Sequence, residues 1–282
     1  MIHQSEFAQN PCRIVVCSSM SEFDTSSPAR IHPADVAREY LTPGGRRRVL
    51  RQPKVDLPRT DLTIEHQGGH LAVRAWGEGQ LILLVHGWAG DQSDMFSYVP
   101  ALTAGGFRVV TLDLPAHGES SGEIASLEQL ADGILAVARH FKPLKAIVGH
   151  SVGSAASAFA IAKGLPVERA VLLAPPESYE NYARHFAAAK GLKPPQVEEM
   201  IEHLLAQGVK VNITISELAA DFRLPGLIVH SSDDQITAAK NSHLISRKWP
   251  SSRFLSVSGL GHRGVLRDQQ VISDVCDFIL EE

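Results

Sequence analysis

The chain has 282 residues, of which 44% are hydrophobic and 21% are charged, with a formal net charge of −4. These values are typical of a globular protein with one sizeable core, and they argue against a nucleic-acid partner or a strongly charged ligand. The three cysteines, an odd number, predict no disulfide framework, so we expect a reducing, cytoplasmic location. The longest apolar runs fall far short of the roughly 20 residues that cross a membrane, and we expect no membrane partner.

Residues 1 to about 60 are predicted to form a poorly ordered extension, because Ser, Pro and Gln are frequent there and apolar periodicity is weak. Its segment 44–54 (GGRRRVLRQPK) is basic. We interpret this segment as a solvated arm, with an anion or partner contact as the alternative. The structured domain is expected to cover residues 61–282.

From residue 61 onward, short apolar runs alternate with segments of helical spacing. Residues 62–66 and 70–76 alternate with period two around Gly68 and Gly69, which predicts a β-hairpin. Six further apolar runs are typical of buried strands: 81–85, 107–113, 144–149, 168–174, 224–230 and 253–259. Between several of them, as from Leu127 to Phe141, apolar residues recur every three or four positions. Strands that alternate with helices predict an α/β protein whose parallel sheet is covered on both faces.

A long insertion, residues 175–223, interrupts this rhythm and exceeds an ordinary connection between two strands. It carries Tyr179, Tyr182 and Phe186 at helical spacing and, after a proline pair, a second helical pattern over residues 197–205. We expect two or three short helices that form a cap over the carboxyl edge of the sheet. The alternative is an excursion that packs elsewhere.

The sequence GHSVG, residues 149–153, directly follows one of the buried runs and precedes a helix of small residues. A strand, a sharp turn and a helix are the setting that a nucleophile elbow requires, and glycines on both sides of Ser151 leave room for that turn. A serine hydroxyl is a weak nucleophile unless a base activates it and a third group orients the base. Ser151 is therefore the candidate nucleophile.

Candidates for the other two groups follow the last two predicted strands. The acid is Asp233 or Asp234, just past the run 224–230, and the base is His262, between the run 253–259 and the final helix. The loop HGWAG, residues 86–90, follows the run 81–85, and we assign the oxyanion donors to the backbone N–H groups of Trp88 and Val152.

These motifs resemble those of the α/β-hydrolase superfamily, over residues 61–282. Four of them match in order: HGWAG (86–90), DLPAHGES (113–120), GHSVG (149–153) and GLGHRGVLRD (259–268). The resemblance implies an eight-stranded, mostly parallel sheet, a small helical cap inserted after strand six, and hydrolysis through an acyl-enzyme on serine without a cofactor. Small bacterial serine hydrolases with a short helical cap are the members that the chain resembles most.

The acid loop departs from the pattern of the family, which commonly has Gly, Val and Pro where this chain has Ser231, Thr237 and Ala238. Spacing therefore has to identify the acid. In the family the proline that opens strand seven usually lies nine residues before the acid, and Pro225 lies nine residues before Asp234. We prefer Asp234, and we expect Asp233 to be a solvated or helix-capping carboxylate.

Other residues of the motifs are interpreted as structural. His86, His117, His150 and His230 lack the spacing of a zinc site, and Asp113 is expected to support the rim of the site. From this spacing we expect no metal, and because the phosphate-loop pattern GxxxxGK[ST] is absent we expect no nucleotide cofactor.

The sequence therefore predicts a serine hydrolase that acts on a carboxylic ester or thioester of a small molecule. Trp88, Tyr179, Tyr182 and Phe186 are the candidate substrate-binding residues. The alternatives are an acyltransferase, a hydrolase of carbon–carbon bonds, or a non-catalytic binding protein with the same fold. Neither the natural substrate nor the oligomeric state is predicted.

Overall fold

A computed structural model of the protein describes residues 31–44 and 54–281. Eight strands form one sheet with the spatial order β1-β2-β4-β3-β5-β6-β7-β8. The strands are β1 (Arg59–His66), β2 (Gly69–Trp76), β3 (Leu81–Val85), β4 (Arg108–Leu112), β5 (Leu144–His150), β6 (Val167–Leu173), β7 (Gly226–Ser231) and β8 (Ser252–Val257). β1 and β2 form the predicted antiparallel hairpin and β2 pairs antiparallel with β4, whereas β4, β3 and β5 to β8 run parallel. The predicted α/β class with a mostly parallel, eight-stranded sheet is confirmed.

Helices connect the strands and cover the sheet. They are α1 (Pro33–Leu41), α2 (Val99–Ala104), α3 (Leu127–Phe141), α4 (Val152–Ala162), α5 (Tyr179–Ala189), α6 (Pro194–Ala206), α7 (Ile215–Ala219), α8 (Lys240–Lys248), α9 (Gly261–Gly264) and α10 (Gln269–Leu280). A 3-10 helix, Gln92–Tyr98, leads into α2. Among the described residues, no helix combines the length and the apolar character needed to cross a membrane.

The central strands are buried on both faces, which explains their continuous apolar sequence. In β3, Leu83 packs in the core beneath α3 and α4, whereas its neighbours Ile82 and Leu84 pack in a second core with α2 and α10. Successive side chains of a strand point to opposite faces, so an apolar run supplies both cores at once. Because these strands run parallel, their carboxyl ends lie along one edge of the sheet.

Three helices, α5, α6 and α7, fill the connection between β6 and β7, in the segment predicted to be a cap. An isolated bridge between Ser178 and Thr214 closes the base of this segment. Buried apolar side chains of α5 and α6, such as Ala183 and Met200, join the core on the α3 and α4 side. The segment is thus packed on the body of the protein and does not form a separate core.

Helix α1 corrects the prediction that the first 60 residues are poorly ordered. Val36 and Tyr40, four positions apart, lie on one face of α1 and are 3% exposed. One buried face on a helix of nine residues gives only a short apolar pattern, which the polar sequence around it obscured. The rest of that prediction, and most of the basic segment 44–54, falls on residues outside those described.

Candidate active site

Ser151 lies in the sharp turn between β5 and α4, with φ 54° and ψ −124°. This left-handed φ is costly for a residue with a side chain and is held by the surrounding structure. The Ser151 N–H donates to the Leu173 carbonyl of the neighbouring strand at 2.9 Å. A Cβ at Gly149 would lie 2.6 Å from the Gly153 oxygen, and a Cβ at Gly153 would lie 2.2 Å from the His86 oxygen. The two flanking glycines are therefore required by close backbone contacts.

The side chains of Ser151, His262 and Asp234 form a continuous hydrogen-bonded row. His262 Nε2 lies 2.9 Å from Ser151 Oγ, and His262 Nδ1 lies 2.7 Å from Asp234 Oδ2. Because a carboxylate only accepts, Nδ1 carries the proton and Nε2 is free to accept the serine proton. The row joins the carboxyl ends of β5, β7 and β8, as the sequence predicted for these three residues.

The carboxylate of Asp234 is buried and surrounded by donors. Besides His262, its Oδ2 accepts from His230 Nε2 at 3.1 Å and from Thr237 Oγ1 at 2.9 Å. Its Oδ1 accepts from the backbone N–H groups of Ile236 and Thr237, at 2.7 and 3.0 Å. Burial by itself raises the pKa of Asp234, but the hydrogen bonds from His230 and His262 outweigh burial and hold this pKa far below its ordinary value. Asp234 is thus a permanent anion beside the imidazole of His262.

His230 and Thr237 both contact Asp234, although the sequence analysis predicted no role in the site for either residue. His230 is fully buried, and its Nδ1 accepts from Ser242 Oγ at 2.6 Å, so Nε2 carries the proton donated to Asp234. Thr237 stands where the family commonly has valine, and its hydroxyl also lies 3.2 Å from His262 Nδ1. A polar residue at an expected apolar position was the available signal for Thr237.

Asp233 does not contact His262 and instead holds the loop that carries it. Its Oδ1 accepts from Ser231 Oγ and from the backbone N–H groups of Gly259 and Gly261, at 2.5, 2.9 and 3.3 Å. The hydrogen bond from Ser231 lowers the pKa of Asp233 most. The side chain is exposed to solvent, as expected for Asp233, and one of its donors, Gly261, is the first residue of α9. Asp233 also ties the end of β7 to the loop after β8, which the sequence did not predict.

Two further contacts fix the loop of His262. His150 Nε2 donates to the backbone carbonyl of His262 at 2.9 Å, and the guanidinium of Arg263 forms an ion pair with the buried carboxylate of Asp94. Burial lowers the pKa of His150 to about 3, so the ring is neutral. With Asp233, these residues anchor the loop at three points that lie far apart in the sequence.

The other histidines of the motifs are neutral and structural. His86 accepts from the Leu114 N–H through Nε2 at 3.0 Å and donates through Nδ1 to the Gly87 carbonyl at 2.7 Å. His117 bonds the Pro115 carbonyl through Nδ1, and its burial lowers the pKa of the ring to about 3. In the described part of the chain, no three His, Cys, Asp or Glu side chains are placed to hold a metal ion.

Asp113 supports the rim of the site through backbone and side-chain contacts. Its carboxylate accepts from the Gln92 N–H at 2.7 Å, from the Gln92 side-chain amide at 3.1 Å and from the Glu119 N–H at 2.9 Å. These contacts tie the loop after β4 to the loop after β3, which is the structural role expected for Asp113.

The loop after β3 lies against the nucleophile turn. A Cβ placed on Gly87 would be 3.1 Å from Ser151 Cβ. Among residues 31–44 and 54–281, no acceptor is found for the backbone N–H of Trp88 or of Val152. Val152 is the first residue of α4, where a backbone N–H has no partner within the helix. The two predicted oxyanion donors therefore have no competing acceptor among these residues.

A narrow apolar crevice, here called the acyl crevice, opens beside Ser151. It is lined by Ser151, Val152, Ala155, Pro176, Tyr179, Tyr182 and Ile215. Two of the four predicted substrate-binding residues, Tyr179 and Tyr182, lie in this wall.

The other two do not line this crevice, and a role for them in binding substrate stays a prediction. Phe186 does not line the acyl crevice, because its ring packs on Tyr40 of α1 with the ring centres 5.5 Å apart. Trp88 packs edge-on against His117, with the ring centres 5.2 Å apart, and is not part of the crevice wall. Helical spacing placed Phe186 near the tyrosines, but a helix face alone does not specify which partner it meets.

Comparisons with known proteins agree with this fold. A family model described as "Alpha/beta hydrolase family" matches residues 82–274. The dihydrolipoyllysine-residue acetyltransferase component of the acetoin cleaving system of Pseudomonas putida is 31% identical over 227 residues, which cover 66% of this chain. The match spans only 60% of the length of that relative.

Two solved structures share the fold at low identity. An esterase from Rhodococcus sp. ECU1013 matches with a TM-score of 0.60 and 19% identity, covering 78% of this chain and 98% of the esterase. A thioesterase domain from the curacin biosynthetic pathway matches with a TM-score of 0.59 and 16% identity, covering 79% of this chain and all of that domain. At this identity the two matches establish the fold alone.

Proposed function

The chain belongs to the alpha/beta hydrolase family, and on that premise we propose that it hydrolyses a carboxylic ester or thioester through an acyl-enzyme on Ser151. The observation that carries the proposal is the hydrogen-bonded row from Asp234 through His262 to Ser151, with donor–acceptor distances of 2.7 and 2.9 Å. Such a row gives a neutral serine the adjacent base that it needs to act as a nucleophile.

In the proposed reaction, Ser151 Oγ attacks the carbonyl carbon of the substrate while His262 Nε2 accepts the hydroxyl proton. Asp234 keeps the Nδ1 proton in place and stabilises the imidazolium that forms. His262 then donates its proton to the departing alcohol or thiol, and the acyl group stays on Ser151. A water molecule, deprotonated by His262, attacks the acyl carbon and releases the acid.

The negative charge that develops on the carbonyl oxygen is proposed to be stabilised by the backbone N–H groups of Trp88 and Val152. Neither group has an acceptor in the described part of the chain, and Val152 also places the positive end of the α4 dipole beside Ser151. Such preorganised donors are worth about 3 kcal/mol each in the transition state. The apolar lining of the acyl crevice favours a small acyl group without charge.

A small-molecule substrate and a cytoplasmic location are parts of this proposal. An acyltransferase is the second candidate, because the Pseudomonas putida relative is named as an acetyltransferase component that acts on a dihydrolipoyllysine residue. In a transferase, a thiol instead of water would attack the acyl-enzyme. Adding dihydrolipoamide to the reaction and measuring the ratio of thioester to free acid distinguishes the two reactions.

The experiment that tests the proposal is hydrolysis of p-nitrophenyl esters and acyl thioesters of increasing chain length by the wild type and by Ser151→Ala. We expect turnover by the wild type and its loss in Ser151→Ala, with labelling of the wild type alone by a fluorophosphonate. Turnover that survives in Ser151→Ala would remove the serine mechanism. A folded wild type that neither turns over nor becomes labelled would favour the non-catalytic alternative.

A further inference from the structure

Tyr40 of α1 lies behind the two tyrosines that line the acyl crevice. Its ring centre is 5.5 Å from that of Tyr179, 6.2 Å from that of Tyr182 and 5.5 Å from that of Phe186. Tyr40 is 3% exposed and is not part of the crevice wall. These four rings, which we call the Tyr40 cluster, connect α1 to the side of the crevice wall that faces away from the substrate.

The interactions within the Tyr40 cluster are those of neutral rings. Burial holds the pKa of Tyr40 well above its ordinary value, and its hydroxyl lies 3.4 Å from the Tyr179 carbonyl. Tilted aromatic pairs at these separations are attractive beyond the apolar area that they bury. Tyr40 therefore limits how far Tyr179 and Tyr182 can move away from Ser151.

Helix α1 is itself fixed to both the cap and the body. The Leu41 carbonyl accepts from the Ala125 N–H, just before α3, at 2.8 Å. At the opposite side, Glu39 forms an ion pair with Lys190 at the end of α5. Val36 and Leu41 are buried in the same core as the crevice residues. Because α1 is held in this way, we expect the Tyr40 ring to stay in place. Tyr179 and Tyr182 should then move away from Ser151 only if that ring is removed.

We propose that Tyr40 is a specificity-determining residue, which restricts the acyl crevice to short acyl chains by supporting Tyr179 and Tyr182 from behind. This inference rests on the proposed function, because it names the substrate class of the same site. Tyr40 itself lies outside residues 82–274, the region that matches the family model.

The test compares the full-length wild type with Tyr40→Ala, Tyr40→Phe and a control, Val36→Ala, which removes buried apolar atoms from the same helix outside the aromatic cluster. For each protein, kcat/KM is measured for butyryl, hexanoyl, octanoyl and decanoyl p-nitrophenyl esters. We expect the ratio of the decanoyl to the butyryl value to rise at least about tenfold in Tyr40→Ala, as one or more methylenes gain a place in the pocket. Tyr40→Phe and Val36→Ala should keep the wild-type ratio.

An unchanged ratio in Tyr40→Ala, or an equal change in Val36→Ala, overturns the inference. Circular dichroism verifies that each variant is folded. Should Tyr40→Ala not fold, Tyr40→Leu takes its place, because it keeps apolar volume but lacks the ring.

A binding experiment separates failure of this inference from failure of the proposed function. In a Ser151→Ala background, the affinity for butyrate, hexanoate, octanoate and decanoate is measured by calorimetry with Tyr40 and with Tyr40→Ala. The second protein should bind decanoate at least about tenfold more tightly than the first. This result would uphold the inference even if the wild type hydrolysed no ester, whereas equal binding, or no binding of any acid, would overturn it.

Discussion

His150 Nε2 donates a hydrogen bond to the backbone carbonyl of His262 at 2.9 Å, with the two ring centres 4.9 Å apart. The residue before the candidate nucleophile thus holds the backbone of the candidate base, 112 residues further along the chain. Because Ser151 directly follows His150, the end of β5 positions both the serine hydroxyl and the group that holds the His262 backbone. The end of β5 therefore sets the distance between Ser151 and the imidazole of His262. Motif GHSVG therefore contributes a positioning group as well as a nucleophile.

Replacing His150 with leucine is expected to lower kcat by about tenfold to a hundredfold, because a small displacement of His262 weakens proton transfer. KM should change little, as His150 does not line the acyl crevice. His150→Gln keeps a side-chain N–H and should retain more of the wild-type kcat. Steady-state kinetics on one ester measures both variants, and equal values for Leu and Gln would mean that the hydrogen bond does not position the base.

Substitution of Asp234 should lower kcat far more than substitution of its neighbour Asp233. Asp234→Asn is expected to lower kcat by about ten-thousandfold, because the amide cannot hold the Nδ1 proton of His262 in the same way. Asp233→Ala removes the contacts to the Ser231 hydroxyl and to the Gly259 and Gly261 N–H groups, and we expect a loss of about tenfold. Equal losses in the two variants, measured with both proteins shown to be folded, would contradict our assignment of the acid.

Thr237→Val tests the hydroxyl that stands where the family commonly has valine. The variant should lose about 1 kcal/mol of unfolding free energy, because Asp234 loses one donor and keeps four others. Denaturation with urea measures this change, and Thr237→Ser, which keeps the hydroxyl, is the matched control. A valine variant as stable as the wild type would show that the Thr237 hydroxyl contributes nothing.

The free energy of unfolding of the wild type should decrease as the pH falls below 6.5, the ordinary pKa of histidine, in part because of His117. Its folded pKa is about 3, below the ordinary 6.5, so the unfolded state binds the proton more readily. The stability contribution is complete above pH about 6.5 and is lost as pH falls towards 3.

His117→Asn should flatten this pH dependence, since the amide N–H can still bond the Pro115 carbonyl but does not titrate. Urea denaturation at a series of pH values between about 3 and 6.5 gives the slope of unfolding free energy against pH for the wild type and for His117→Asn. The slope will not vanish, because His150 has a similarly lowered pKa. Identical slopes in the wild type and the variant would mean that groups other than His117 cause the pH dependence of stability.

Local sequence patterns predicted the parts of the fold and the site that depend on neighbouring residues. Apolar runs specified strands such as Leu81–Val85, and the glycines around Ser151 specified the turn. Contacts between distant segments could not be read in this way. The tie from Asp233 to Gly259 and the support of Tyr179 by Tyr40 depend on which loops and helices meet in space.

The sequence also could not separate a residue near the crevice from one that lines it. Tyr182 and Phe186 are one helical turn apart on α5, yet Tyr182 lines the crevice and Phe186 packs on α1. That helix has nine residues, too few for its apolar face to stand out from the polar sequence around it.

The position of β8 at the end of the strand order has a consequence for heat inactivation. Ser151 follows the central strand β5, whereas His262 follows β8, which has no fully buried residue and, within residues 31–44 and 54–281, pairs only with β7. Edge elements with few buried contacts open locally at a lower free energy than the core. On heating, the protein should therefore lose activity while most of the sheet is still folded. The loss of activity with temperature then measures the stability of this edge, whereas amide exchange in β5 measures the stability of the whole domain.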